Sequence, residues 1–372
     1  MRRLMRHLLP ALLAAGLAGC ASGDRLPLQS WGYVAWWLLP GAEDIRASRF
    51  DRLLFFEIEI AADGSVRDPH GWPDPPGLHA VARELGTPVD VTLTLRGRAD
   101  FDALFASPAS VERLMAVCRT LLADPRVAGL QLDIEHYEPS SPAALAGLRG
   151  FVPALAEAMH AHKPRKVLSV FVPINADPLY DAASLEQVDW VVMQSYDAHW
   201  IDSPNAGPVA PLAGRDALTW ESVLALADGL GVPRARTLMA FPLYGYEWPV
   251  ETGEPRGRTT GPASITTLAP VGAGSLPRIA NSVQERVALH GCRRDLPTAS
   301  MHYLLRHPER GWLAGWYENE WSLRLKRNFL VEHRLGGVAF FLVGYDGQRL
   351  TRIFDKRRSP DDMGTPSPDG PC

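Results

Sequence analysis

Short, continuous apolar runs alternate with amphipathic stretches from Trp31 to about Phe354. Eight runs read as strands: residues 32–36, 52–60, 89–95, 129–133, 167–172, 190–194, 237–241 and 337–342. Most are rich in Val, Leu, Ile and Phe with little polar alternation, the pattern of parallel strands covered on both faces. Helical periodicity is clearest over 110–122, 142–160, 220–230 and 322–333, and Ser140 and Ser141 offer N-caps to the second of these. Eight strands, each followed by a helix or a long connection, predict an α/β fold of the closed (β/α)8 TIM-barrel type over residues 29–355. The largest excess of chain, about 246–315, falls between the seventh and eighth strands. Its Gly/Pro/Thr-rich start and short helical centre predict an insertion on the upper rim.

One strand carries chemistry. Val127-Ala-Gly-Leu-Gln-Leu-Asp-Ile-Glu135 is apolar and β-prone, yet Asp133 and Glu135 stand two apart at its end. Side chains two apart share a face, so two carboxylates open together at the C-terminal end of a strand, where barrels of this kind place their active sites. Such a pair can divide the work of a proton donor and an orienting anion; a structural ion pair is the plainer reading. Tyr196 and Asp197, just past the sixth strand, are placed at the same end. So are Trp36, Trp37, Trp200 and the run Tyr244-Gly-Tyr-Glu-Trp248. Aromatics gathered around carboxylates suit sugar recognition, because pyranose C–H faces pack on rings while hydroxyls bond to polar neighbours.

The ends address the compartment. Met-Arg-Arg-Leu-Met-Arg precedes an apolar run and then Leu17-Ala-Gly-Cys20, a secretory leader too short to span a bilayer. Its ending resembles a bacterial lipobox, which makes 1–19 a signal peptide, Cys20 the lipidated first residue and 20–28 a linker. Ala21 after the cysteine directs a bacterial lipoprotein to the periplasmic face of the outer membrane rather than the inner one. Residues 356–372, rich in Pro, Asp and Gly, read as a disordered tail, and Lys356-Arg-Arg358 as its solvated start. Cys118 reads as a core residue, and the spacing permits a Cys292–Cys372 bridge without supporting it. With a net charge of −4 and no basic run interleaved with aromatics, nothing calls for nucleic acid.

Several segments in order resemble glycoside hydrolase family 18, the chitinase and endo-β-N-acetylglucosaminidase family. The stretch from Ala128 to Glu135 resembles its fourth-strand signature Asp-Gly-x-Asp-x-Asp-x-Glu, with Gly129, Asp133 and Glu135 in register. Gln194-Ser-Tyr-Asp197 resembles Met-x-Tyr-Asp, Pro242-Leu-Tyr-Gly245 resembles Pro-x-Tyr-Gly, and Phe55 to Gly64 resembles the second strand. Tyr317 to Asp346, with Ser322, Lys326 and Leu335-Gly-Gly-Val338, resembles the last helix and strand. The resemblance implies a substrate-assisted, retaining mechanism in which the substrate's N-acetyl group is the nucleophile. It makes Glu135 the acid/base, Asp133 the residue that orients the acetamide, and Tyr196 a donor to the acetamide oxygen. It further implies sugar contacts from Asp197, Gln131, Gln194, Tyr33, Tyr244, Trp248 and Phe341, a GlcNAc-containing glycan as ligand, no cofactor and no metal. A monomer is the simplest state for a tethered barrel.

The departures are specific. Ala128 and Gln131 stand where the family has aspartates. Phe341 replaces the tryptophan floor of the cleavage site, and Thr94-Leu-Arg-Gly97 keeps the third-strand motif only in part, with no family role for Arg96. Members of the family that have lost catalysis act as lectins, so a non-catalytic glycan-binding lipoprotein is the alternative. His136 with Glu138 offers no helical spacing for a metal and reads as rim, and Ser195 lacks the Gly-x-Ser-x-Gly context of a serine hydrolase.

Overall fold

The computed structural model describes residues 27–39, 45–46, 49–174, 178–268 and 282–355. The leader, Cys20, the tail and Cys372 lie outside them. Fourteen strands are described: β1 (Gln29–Ala35), β2 (Arg52–Ile60), β3 (Val66–Asp68), β4 (Val89–Arg96), β5 (Val127–Glu135), β6 (Val167–Val172), β7 (Trp190–Met193), β8 (Thr237–Pro242), β9 (Tyr244–Val250), β10 (Ser264–Thr267), β11 (Arg293–Asp295), β12 (Ser300–His307), β13 (Gly311–Tyr317) and β14 (Gly337–Phe341). The helices are α1 (Leu78–Leu85), α2 (Arg98–Phe105), α3 (Pro108–Leu122), α4 (Pro142–His160), α5 (Ala182–Glu186), α6 (Trp220–Gly229), α7 (Val283–His290) and α8 (Glu320–Glu332).

Eight parallel strands run in the order β1-β14-β8-β7-β6-β5-β4-β2, and β2 pairs back onto β1. The predicted TIM barrel is therefore closed, and every strand expected from the apolar runs is one of its staves. Ends agree to within three residues: β1 starts at Gln29 and yields at Trp36 to a 3-10 turn. Strands without polar alternation are buried throughout, as β8 shows at all six positions. The four anticipated helices are α3, α4, α6 and α8, each with a side chain accepting from a first-turn N–H. Ser141, not Ser140, caps α4 by accepting from the Ala144 amide at 3.2 Å.

Closure and close approach fix two glycines. Gly337 adopts φ 152°, and a Cβ there would lie 2.1 Å from the Gln29 carbonyl across the β14–β1 seam. At Gly129 a Cβ would meet the Val167 carbonyl at 2.3 Å, so that glycine lets β5 and β6 approach.

The insertion is a subdomain in its own right. β9 leaves the barrel directly after β8 and centres an antiparallel sheet of order β10-β9-β13-β12-β11, packed with α7. Its carboxylate Glu247 is wholly buried, accepting from Tyr303 at 2.9 Å and from Arg286 of α7 at 3.0 Å. A second buried pair joins the sheet to the last helix. Lys326 of α8 donates to Glu318 at 2.7 Å and to the Ala299 carbonyl at 2.9 Å, and Ser300 donates to the other Glu318 oxygen at 3.0 Å. Among the described residues no helix is long and apolar enough to cross a membrane. Cys118 is a buried free thiol, as its helical pattern indicated, whereas Cys292 is disulfide-bonded.

Candidate active site

The site grows out of β5. Leu130, Leu132 and Ile134 are buried on one side of the pleat, and Gln131, Asp133 and Glu135 occupy the other. Register stacks the inward positions into layers. Gln131 lies between Thr92 and Ser169, and Asp133 between Thr94 and Phe171. In the lower layer Thr92 donates to the Gln131 carbonyl oxygen at 3.4 Å, and the Gln131 amide donates to Ser169 at 3.3 Å. Gln131 is fully buried, so its place is behind Asp133, supporting it, and not on a surface open to sugar.

Asp133 is 4 % exposed, and its Oδ1 has no donor within hydrogen-bond reach. Burial pushes its pKa well above the ordinary carboxylate value. The neighbouring Glu135 and Glu57 push the same way, and Arg96 opposes them. Glu135 is raised by burial too, opposed by Arg96 and by a hydrogen bond from Tyr137. Two acids so placed influence each other's ionisation, and the charge of either one disfavours the charge of the other.

Around the pair stand rings. Tyr196 lies nearly parallel to Phe341, with centroids 6.0 Å apart and planes at 14°. Tyr33 and Phe56 meet Phe341 edge-on at 5.5 and 5.2 Å. Burial foremost, with Glu135 and Asp197 next, keeps the Tyr196 phenol protonated and a donor. Tyr33 is likewise held neutral, by burial and then by Asp133. Asp197 takes φ 61°, a left-handed turn that Asp tolerates, and accepts from Tyr244 at 2.7 Å and Tyr246 at 3.3 Å. Burial lifts its pKa to about 7 against those two hydrogen bonds. Both tyrosines belong to β9, so the insertion forms one wall of the site.

Gln194 accepts from the Ile174 amide at 3.0 Å and donates to Tyr137 at 3.2 Å. Tyr137 in turn donates to Glu135 at 3.3 Å and is 58 % exposed. The structure thus brings together Glu135, Asp133, Tyr196, Asp197, Gln194, Tyr33, Tyr244 and Phe341. Trp248 does not join them: its ring is wholly buried in the insertion, and its indole N–H donates to the Trp200 carbonyl at 3.2 Å. His136 is buried, not rim, held by the Glu138 carbonyl and Ser140 at 3.0 and 3.1 Å. Ser195 donates to the Ala240 carbonyl at 2.6 Å and is structural.

Three residues emerge that sequence reasoning did not assign to the site: Tyr137, Glu57 and Arg96. Tyr137 had a usable signal, an aromatic two positions beyond Glu135. Glu57, buried within β2, pairs with Arg96 at the end of β4. Glu57, Glu59 and His70 also bring ligand-type atoms within 4.8 Å of one another. Because Arg96 already pairs with Glu57, while His70 contacts Glu59 at 3.3 Å and stacks on Trp36 at 4.3 Å, we assign them to a network of ion-pair and hydrogen-bond contacts.

The model of glycosyl hydrolases family 18 matches residues 85–346, and the chain belongs to that family. Among solved structures it is similar to the spore cortex-lytic enzyme SleL of Bacillus cereus, at 17 % identity and a TM-score of 0.70 over 89 % of this chain and 74 % of that one. It is similar to a class V chitinase of Nicotiana tobaccum, at 18 % identity and a TM-score of 0.72 over 88 % and 97 % of the two chains. A chitinase-like agglutinin of Robinia pseudoacacia matches at 17 % and 0.71 over 87 % and 98 %. At such identities the likeness is one of fold. No curated protein sequence matches the chain.

Proposed function

We propose that the chain is a retaining, substrate-assisted glycosidase of β-linked N-acetylglucosamine polymers, held at the bacterial envelope by a lipid on Cys20. The observation that carries the reading is Asp133 Oδ1, a buried acceptor with no protein donor. Buried polar atoms are almost always satisfied, and an acetamide N–H entering over Phe341 would satisfy this one. With the N–H held there, the acetamide oxygen attacks the anomeric carbon as Glu135 gives its proton to the departing glycosidic oxygen. Asp133 offsets the positive charge of the resulting oxazolinium, and Tyr196 donates to the acetamide oxygen. Water then gives a proton back to Glu135 and opens the ring on the face the leaving group left, so configuration is retained.

An envelope location and the likeness to a spore cortex-lytic enzyme favour peptidoglycan glycan over chitin-type oligosaccharides as substrate. The second reading, a glycan binder without catalysis, draws on Ala128, Gln131 and the likeness to an agglutinin. Against it stand Glu135, Asp133 and Tyr196, all present and mutually placed. The test is digestion of purified peptidoglycan and of chitin oligomers, with mass analysis of products and a thiazoline mimic of the oxazolinium as inhibitor. Products that vanish with the mimic support the reading. Inert protein that still binds the polymers supports the binder.

A further inference from the structure

The rim over β2 and β4 carries charge that the hydrolytic scheme leaves unused. Strand register sets Arg96 beside Glu135, as it sets Thr94 beside Asp133. The guanidinium is held in place twice, by the buried carboxylate of Glu57 and by the face of Phe56, 5.6 Å from its ring centroid. Phe56 is the same ring that meets the Phe341 floor. Among the described residues, the acids Glu57, Asp133, Glu135 and Asp197 act on this site, and Arg96 is the cation that acts on the pair. The other titratable groups that couple to it are phenols: Tyr33 from β1, Tyr137 after β5, Tyr180 before α5 and Tyr196 after β7. His70 is turned to Glu59 and Asp68.

We propose that Arg96 is a positioning residue for the Asp133–Glu135 pair, its anchored charge keeping one negative charge on the pair at the pH where the reaction runs. The inference rests on the hydrolytic reading, which needs one carboxyl to hold a proton and the other to be an anion. Burial favours two protons, and two charges repel; a fixed cation selects the singly charged state between them. With neutral Gln131 beneath Asp133, no third carboxylate in that layer shares the proton.

The decisive experiment titrates the 13C-labelled carboxyl carbons of Asp133 and Glu135 by NMR in wild type, Arg96→Met and Arg96→Lys. The pH dependence of kcat and KM on a GlcNAc oligomer is measured alongside. In Arg96→Met the first ionisation of the pair moves up by about one pH unit, the scale of one nearby charge in a partly solvated site. The acidic limb of kcat moves with it, and Arg96→Lys restores both to within a few tenths of a unit. Arg96→Gln replaces the methionine variant if that one does not fold. An unmoved carboxyl titration in a folded, charge-neutral variant overturns the proposal, and so does a lysine variant that shifts as far as methionine. If wild type hydrolyses nothing, the hydrolytic reading fails, and the NMR titration still decides the role of Arg96.

Discussion

Replacing Glu135 with Gln should make the protein more stable as it makes it inactive. Asp133 and Glu135 are same-face neighbours on β5, which puts them about 6.6 Å apart at two residues' rise. At an effective dielectric of about 20, two full charges at that separation repel by about 2.5 kcal/mol. Protonation already relieves part of this in wild type, so the variant should gain about 1–2 kcal/mol at pH 7. The sign follows from the raised pKa of both acids. An acid whose folded pKa exceeds its unfolded value costs nothing below the unfolded value, near pH 4, and costs more as pH climbs through the folded one. The gain in Glu135→Gln should therefore be absent at pH 4 and grow towards pH 8, measured by denaturant unfolding at matched pH. Hydrolysis should fall about 10²–10⁴-fold through loss of the general acid. A variant no more stable than wild type at pH 7, or shifted equally at pH 4 and pH 7, would refute the electrostatic account of the pair.

Tyr137→Phe removes the donor to Glu135, and that bond favours the anion, so the Glu135 pKa should rise. The alkaline limb of kcat/KM should then move up by about half a pH unit or less, read from a pH–rate profile. Lys326→Met leaves Glu318 buried without its cation. It should cost about 3–5 kcal/mol in unfolding experiments, most of it recovered when Glu318→Gln is added. Cys20→Ser should move the protein from the membrane to the soluble fraction of the envelope. Unchanged fractionation would count against a lipid anchor.

The barrel was legible because parallel strands covered on both faces leave continuous apolar runs, and most of its eight strands were of that kind. The insertion's sheet was not. β9 carries Pro249 and Gly245, and β11 is three residues long and partly exposed, so neither shows a clean period of two. Asp133, Glu135, Tyr196 and Asp197 were readable because each sits at or just past the end of a strand, where topology alone fixes its location. Trp248 misled for the same reason. An aromatic soon after β8 looks like rim, and only the fold-back of β9 against β13 buries it. Gln131 could be placed in register, but the sugar contact expected of it gave way to a supporting place once Thr92 and Ser169 were seen on either side of it. Arg96 and Glu57 are 39 positions apart on strands of unremarkable sequence, and only the β2–β4 pairing brings their charges together.

The central claim is most directly tested by the anomeric configuration of the first product released from a GlcNAc oligomer, followed by 1H NMR before mutarotation. A β-anomer formed by wild type and absent with Glu135→Gln is the predicted result. An α-anomer would contradict substrate assistance, and no product from any GlcNAc polymer, peptidoglycan included, would contradict catalysis itself.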